Sequence, residues 1–205
     1  MTGPTREFWE QRFVAHDTPW DRGGPNPQLD AWLRDRVLAP CRILVPGCGA
    51  GHEVLALARA GFAVTGLDYS PAALALVREK LRAAGAAASL IEADALCWQP
   101  PDRFDAIYEQ TCLCALHPDH WRSYADQVAA WLRPGGRLFA LFMQAPRAGA
   151  SDGCIEGPPY HCDVNAMRSL FAAPRWIWPA PPYPRVPHPV GYTELAVVLE
   201  RGAPG

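Results

Sequence analysis

The stretch Arg42-Ile43-Leu44-Val45-Pro46-Gly47-Cys48-Gly49-Ala50-Gly51 decides the fold. Its first half is a short apolar run that predicts a buried strand. Its three glycines predict a loop whose backbone can approach a ligand closely. Beyond the loop, Val54, Leu57 and Ala58 recur with the period of a helix that ends at Gly61. The pattern therefore predicts a strand, a glycine loop and a helix whose first N–H groups point at a ligand.

Strands and helices continue to alternate on the C-terminal side of this unit. Further strands are predicted at 63–67, 89–91, 104–108, 137–143, 175–178 and 192–200. Helices are predicted to begin near Pro71, Pro118 and Asp163. The alternation indicates a doubly wound α/β fold with a mostly parallel sheet and right-handed crossovers. The proline-rich segment 174–189 predicts a stiff loop at the sheet edge rather than a polyproline ligand.

Two amphipathic segments precede the first strand. One predicts a helix over 6–13, and the other predicts a helix over 28–38 that begins after the N-cap Asn26. The stretch 17–27 between them is rich in turn residues and is expected to be a mobile loop. We expect one domain over 1–205, with N-terminal helices and a lid in 1–40 and the sheet core in 41–205.

Composition excludes several functional classes. The chain has 205 residues, a net charge of -2 and 49% apolar residues, with no basic face for nucleic acid. It lacks a basic, apolar signal segment and any apolar run of about 18 residues, so we expect a cytoplasmic protein without membrane spans. Its seven cysteines form no Cys-x-x-Cys pair, which favours reduced thiols.

A metal site is the minor alternative interpretation of one cysteine-rich segment. Cys112, Cys114, His117 and His120 lie close together in the sequence. Zinc ligands usually come as separated pairs, however, and we expect the two cysteines to end a strand whose side chains alternate between faces. We therefore predict no metal.

Polar residues follow four successive predicted strands. The glycine loop ends the first strand, Asp68 the second, Asp94 the third and Glu109-Gln110 the fourth. Ligands of such sheets bind beyond the carboxyl ends of the strands, and an acidic residue about 20 positions after the first glycine can accept both hydroxyls of a ribose. S-adenosylmethionine suits this order, with its amino-acid end at the glycine loop, its ribose at Asp68 and its adenine at Asp94. We expect the Asp68 carboxylate to face solvent. The alternative is that Asp68 and Asp94 merely cap loops.

Six segments resemble the thiopurine S-methyltransferase family of class I methyltransferases, which includes halide, thiocyanate and thiol methyltransferases. They are Phe8-Trp9, Pro19-Trp20-Asp21, 44–51, 66–70, 108–116 and Gly157-Pro158-Pro159-Tyr160. The resemblance covers nearly the whole chain. It implies the Rossmann-like class I fold, with seven strands, an antiparallel last strand and an N-terminal helical lid.

The resemblance also implies site residues. The expected binding residues for S-adenosylmethionine and its product S-adenosylhomocysteine are Trp9, Trp20, Gly47, Gly49, Asp68, Tyr69, Asp94, Ala95 and Glu109. The expected acceptor-binding residues are Trp9, Phe13, Cys112, Leu113 and Tyr160. Gln110 and Tyr160 are expected to be catalytic. The mammalian thiopurine enzymes have arginines at Gln110 and around 120–121 that this chain lacks, so the halide and thiol branch fits better.

We therefore expect an enzyme that transfers a methyl group from S-adenosylmethionine to a small soft nucleophile: a thiol, sulfide, thiocyanate, halide or selenium species. Such displacement needs alignment of the reactants and no strong base. The alternatives are an O- or N-methyltransferase for small molecules, a nicotinamide-dependent oxidoreductase and a non-catalytic nucleotide-binding protein. The expected partner is a small-molecule substrate, and the expected state is a monomer or homodimer.

Overall fold

A mixed eight-stranded sheet forms the centre of the molecule in the computed structural model, which describes residues 3–149 and 154–203. Its strands are β1 (Arg42–Pro46), β2 (Ala63–Asp68), β3 (Ser89–Glu92), β4 (Phe104–Gln110), β5 (Leu132–Gln144), β6 (Trp176–Ile177), β7 (Arg185–Pro187) and β8 (Thr193–Arg201). The order is β3-β2-β1-β4-β5-β8-β6, and β7 also pairs with β8. Strands β1 to β5 pair in parallel, whereas β8 is antiparallel to β5, β6 and β7. The predicted doubly wound fold with an antiparallel last strand is confirmed, although the sheet has eight strands rather than the expected seven, because the short strand β7 also pairs with β8.

Helices cover both faces of the sheet. They are α1 (Arg6–Val14), α2 (Pro27–Arg34), α3 (His52–Arg59), α4 (Pro71–Ala84), α5 (Cys112–Ala115), α6 (Trp121–Trp131) and α7 (Val164–Leu170), with a 3-10 turn over Pro118–His120. One apolar cluster packs α6 and α7 against the sheet, and a second packs α2, α3 and α4 against it. The sheet thus separates two hydrophobic cores. The helices cover its two faces, so that the carboxyl ends of the parallel strands remain available for a ligand site.

Side-chain caps fix where the helices begin. The Ser70 hydroxyl accepts a hydrogen bond from Ala73 N at 3.0 Å, and the Asn26 side chain accepts one from Gln28 N at 2.9 Å. Caps of this kind stabilise a helix by about 1 kcal/mol. The Ser70 cap makes the turn between β2 and α4 tight, so the end of β2 lies beside the first turn of α4.

Two predicted elements differ from the structure. Helix α2 ends at Arg34 rather than at residue 38, because Arg36 adopts φ +55° and turns the chain so that Leu38 enters the core. The prediction that Cys112 and Cys114 end a strand is wrong. Thr111 adopts φ +64° directly after β4, and the two cysteines lie in the short helix α5.

The proline-rich segment 174–189 is more than a loop. It contributes β6 and β7, both of which pair with β8. Strand β7 ends at Pro187, a residue without an N–H donor, at the margin of the sheet. Among the described residues, no helix is both long enough and apolar enough to cross a membrane.

Candidate functional site

A cavity of about 500 Å3 lies at the carboxyl ends of β1, β2, β4 and β5. Its walls come from the glycine loop, these strand ends, α1 with the loop that follows it, and the segment around His188 to Tyr192. Cavities of this size bind small molecules and cofactors. The chain therefore places one small-molecule site where the predicted polar strand ends meet.

The three glycines of the loop have different surroundings. Gly47, Gly49 and Gly51 all have positive φ angles, of +57°, +51° and +74°. A Cβ at Gly51 would lie 2.6 Å from Val77 Cγ2, so this glycine allows α3 to pack closely against α4. A Cβ at Gly49 would be in ordinary contact with Phe13, 3.5 Å from Cζ and 3.8 Å from Cε1. At Gly49 it is therefore the positive φ angle, rather than a lack of space, that favours glycine.

Asp68 lies on the cavity wall but does not face solvent as expected. It is 7% exposed, and its carboxylate accepts hydrogen bonds from Gly49 N and Ser70 N, both at 2.9 Å. Burial raises the pKa of Asp68, although these N–H donors act in the opposite direction. The carboxylate therefore braces the glycine loop. Each of its oxygens keeps a second lone pair that can accept from a ligand hydroxyl.

Asp94, Ala95 and Tyr69 also line the cavity, near the ends of β2 and β3. Asp94 accepts a hydrogen bond from Leu96 N at 2.8 Å, so it caps a local turn as well. Burial raises the pKa of the Tyr69 hydroxyl, which is therefore neutral at pH 7. Asp68 and Asp94 therefore both accept hydrogen bonds from loop N–H groups and line the cavity.

Aromatic rings of the N-terminal segment form another wall. The Trp9 ring packs edge to face on Trp20 at 5.3 Å and on Phe8 at 5.1 Å, and Phe13 meets Trp20 at 6.0 Å. Edge-to-face pairs contribute about 0.5–1.5 kcal/mol each beyond the buried area. The predicted residues Trp9, Phe13 and Trp20 are thus brought together on the cavity.

Polar contacts attach this N-terminal segment to the sheet domain. Glu10 accepts hydrogen bonds from the Ser70 hydroxyl at 2.6 Å and from Ala72 N at 3.2 Å. These donors belong to the N-terminal end of α4, where a negative charge is favourable. Helix α1 is therefore docked next to the turn that carries Asp68.

A buried polar network joins the N-terminal loop to the last strand, and sequence reasoning missed it. Glu194 on β8 is 0% exposed. It accepts hydrogen bonds from Arg22 at 3.1 Å, Asn26 at 2.9 Å and Gln110 at 3.2 Å. Burial raises the pKa of Glu194 to about 7, whereas Arg22 and the other two donors act to lower it. The sequence signal that could have revealed this network is Glu194 itself, an acidic residue within the otherwise apolar run of the last strand.

Gln110 and Cys112, two of the predicted site residues, line the cavity. Gln110 donates to Glu194 and accepts from the Tyr108 hydroxyl at 2.9 Å, so its amide is held from both sides. Burial raises the pKa of Cys112, which therefore stays a thiol. An amide cannot take up a proton at neutral pH. The end of β4 thus presents a fixed neutral group to the cavity.

Three predicted site residues do not line the cavity. Glu109 is buried, and its carboxylate accepts from Leu113 N at 2.8 Å, which places both residues in the packing of α5. Burial raises the pKa of Glu109 to about 7. The Tyr160 ring packs on His117 at 5.3 Å. The binding roles of these three residues stay predictions.

The cysteine-rich segment forms no metal cluster in the described residues. Over 3–149 and 154–203, no three His, Cys, Asp or Glu side chains lie close enough together to hold an ion. All seven cysteines are free thiols. Cys112 and Cys114 are buried, and His117 contacts Asp119 at 3.3 Å.

The sheet order and the strand-end cavity define a class I methyltransferase. Solved structures of this class share the fold. One solved structure has a TM-score of 0.79 and 25% identity, covering 96% of this chain and 93% of that one. It comes from a study of the conversion of a disulfide bond into a thioacetal group during echinomycin biosynthesis. The N-methyltransferase NodS from Bradyrhizobium japonicum, in complex with S-adenosylhomocysteine, has a TM-score of 0.73 and 20% identity, covering 98% and 100%.

The chain belongs to the thiopurine S-methyltransferase family, whose sequence profile matches residues 4–178. It is 34% identical over 166 residues to probable thiol methyltransferase 2 of Arabidopsis thaliana, covering 80% of this chain and 70% of that protein. Thiocyanate methyltransferase 1 of the same plant is 32% identical, with the same coverage. A thiopurine S-methyltransferase of Vibrio cholerae is 27% identical over 80% of each chain. The predicted family and the predicted S-adenosylmethionine-dependent methyltransferase are confirmed.

Proposed function

We propose that this protein transfers the methyl group of S-adenosylmethionine to a small soft nucleophile: a thiol, sulfide, thiocyanate, halide or selenium species. The observation that carries this proposal is the neutral, doubly hydrogen-bonded Gln110 amide at the end of β4. A hydroxyl or amine acceptor needs a positioned base to take its proton, whereas a thiolate or halide arrives deprotonated. The similarity to thiol and thiocyanate methyltransferases supports the same acceptor class.

The cavity residues would divide between cofactor and acceptor. Gly47 and Gly49 would line the amino-acid end, Asp68 would receive the ribose, and Tyr69, Asp94 and Ala95 would lie by the adenine. When bound, S-adenosylmethionine supplies a methyl group activated by the positive charge of its sulfur. Trp9 and Trp20 would offer aromatic faces to that charge and exclude water.

The chain's contribution to the reaction would be alignment. An acceptor lone pair forms the bond to the methyl carbon while the carbon–sulfur bond breaks, and its electron pair stays on sulfur to leave S-adenosylhomocysteine. Holding the two reactants in line can contribute about 7–11 kcal/mol. No proton has to move when the acceptor is already an anion.

The proposal includes the domain organisation, the location and the oligomeric state of the protein. Residues 1–40 would form helices and a lid over a sheet core of 41–205, within one domain. The seven free thiols are typical of a reducing compartment, which supports a cytoplasmic location. The protein would act on small molecules as a monomer or a homodimer.

An acceptor panel tests the function. Purified protein would be given hydrosulfide, small thiols, thiocyanate, iodide, a thiopurine, a catechol and an amine at several pH values, with S-adenosylhomocysteine as the readout. With a thiol, the rate below saturation should rise with pH as the thiolate fraction does, because the free thiol pKa is about 8.5. With iodide or thiocyanate it should stay nearly flat. If the catechol or amine reacts faster than every soft acceptor, the O- or N-methyltransferase alternative replaces this proposal.

A further inference from the structure

Part of the cavity wall carries buried hydrogen-bond donors that have no partner in the part of the chain that the structure describes. They are Arg22 Nε, Arg147 Nε and His188 Nε2, and all three residues line the cavity, whereas the neighbouring His52 Nε2 lies 2.8 Å from the Asp21 carboxylate. Leaving a buried donor unpaired is unfavourable, because the donor loses its hydrogen bonds to water and gains none in return. Three such donors on one cavity indicate that a ligand accepts hydrogen bonds there.

Arg147 brings a positive charge that no described carboxylate balances. It follows the end of β5, and it donates to the Tyr192 hydroxyl at 2.5 Å and to Pro159 O at 3.3 Å. Its guanidinium also lies 5.1 Å from the centre of the Tyr192 ring. All these partners are neutral. The other two arginines of the cavity differ, since Arg22 pairs with Glu194 and Arg12 with Asp17.

His188 adds a neutral donor. It is 5% exposed, and burial together with the charge of Arg22 lowers its pKa to about 4, so the imidazole is neutral at pH 7. Its Nδ1 faces Val190 N at 3.4 Å and accepts from it. The remaining proton is thereby assigned to Nε2, the atom that lacks a partner.

We propose that Arg147 and His188 form an anion subsite for the methyl acceptor, so that the preferred acceptors carry a negative charge. The charge is either the soft nucleophile itself or a carboxylate on a thiol. This inference rests on the proposed function and narrows its acceptor class. Arginine suits the role because its fork can donate two parallel hydrogen bonds to one anion.

Arg147→Gln tests the subsite, and the measured quantity is a ratio of kcat/KM values. Mercaptoacetate is compared with 2-mercaptoethanol, which replaces the carboxylate by a neutral hydroxymethyl group, and thiocyanate is the third acceptor. We expect the ratio of charged to neutral acceptor to fall about ten-fold or more, as the loss of a charge-assisted hydrogen bond predicts. Arg147→Lys keeps the charge without the fork and should lower the ratio less.

Arg168→Gln is the matched control. Arg168 also donates to a tyrosine hydroxyl, that of Tyr183, and lies 4.8 Å from the centre of the Trp178 ring, but it is outside the cavity. It should leave the ratio unchanged. Calorimetric titration with S-adenosylhomocysteine shows whether the cofactor site of each variant is folded. If Arg147→Gln does not bind S-adenosylhomocysteine, the acceptor ratio of Arg147→Lys is used to test the subsite instead.

The outcomes separate the subsite from the function. A fall for thiocyanate places the nucleophile at Arg147, whereas a fall confined to mercaptoacetate places the carboxylate there. The subsite is overturned, while the methyltransferase function stands, if Arg147→Gln changes the ratio less than about two-fold and also leaves kcat/KM for thiocyanate as it was, or if Arg168→Gln causes the same changes. If the wild-type protein methylates none of the three acceptors but does methylate a catechol or an amine, the proposed function itself fails.

Discussion

At the scale of single residues, Asp68 combines a structural role with a position on the cavity wall. Its carboxylate accepts from Gly49 N and Ser70 N while lying on the cavity wall. We expect Asp68→Ala to weaken S-adenosylhomocysteine binding about ten-fold or more, because the ribose loses an acceptor. We also expect a lower melting temperature, because two backbone donors lose their partner. Calorimetric titration and thermal unfolding measure the two effects.

Asp105→Ala provides the comparison for Asp68. Asp105 accepts from a backbone donor, Arg42 N at 3.0 Å, and from Arg133 Nε at 2.6 Å, but it lies outside the cavity. Its loss should lower stability and leave the binding constant as it was. Equal binding constants in wild type and Asp68→Ala would remove Asp68 from the site.

Glu194 should make stability depend on pH. Its folded pKa of about 7 lies above the ordinary value of 4.5, so the folded protein binds a proton that the unfolded chain has released. The stability from this group is fully present below pH 4.5 and is lost as pH rises through 7. Between pH 5 and 8, wild type should lose up to about 3 kcal/mol relative to Glu194→Gln. Denaturant unfolding at each pH measures the difference, and parallel curves would contradict it.

Some of the site could be predicted because its signals are local. Gly47, Gly49 and Asp68 follow strands that their own sequence specifies, and each falls on the cavity. The contact between Arg22 and Glu194 has no local signal, because it depends on how the N-terminal loop meets the last strand. Arg147 was missed for the same reason, since its partners Tyr192 and Pro159 come from other segments.

At the scale of elements, we propose that α1 and the loop after it act as a lid. Glu10 docks α1 on α4, Arg22 and Asn26 tie the loop to β8, and Trp9 and Trp20 face the cavity. We expect S-adenosylhomocysteine to slow tryptic cleavage after Arg22, because a ligand that touches the lid holds it closed. Mass spectrometry of timed digests gives the rate.

Cleavage after Arg103 supplies an internal control for the lid. Arg103 is exposed on the loop before β4, and it lies away from the cavity. Its cleavage rate should be the same with and without ligand. A lid is contradicted if both sites are protected equally or if neither is.

Strands and helices with a regular pattern of apolar residues in their own sequence were predicted. Strand β7 and helix α5, which depend on contacts with other segments or on one unusual backbone angle, were not. Strand β1 has the predicted bounds because its apolar run is followed directly by glycine. Strand β7 has only three residues and exists through its pairing with β8. Helix α5 depends on Thr111 entering the left-handed region, which the residue type alone does not favour.

At the scale of the whole molecule, both apolar clusters pack on one sheet. Because β1, β4 and β5 contribute to both faces, neither cluster can lose its packing alone. We expect one thermal transition, with equal calorimetric and van't Hoff enthalpies. Ligand at a hundred times its dissociation constant should stabilise the protein by about 2.7 kcal/mol. Two separate transitions would contradict a single domain.

The ion pair between Arg22 and Glu194 joins positions that are 172 residues apart in the chain. During synthesis the ribosome delivers Arg22 first and Glu194 near the end of translation, so the glycine loop and Asp68 emerge long before β8 can receive the N-terminal loop. A nascent chain that stops short of β8 lacks Glu194, the anchor of that loop, and it lacks the strand with which β7 pairs directly before His188. We therefore expect a chain truncated before β8 to show no methyl transfer and no consumption of cofactor, which an activity assay of residues 1–192 would measure.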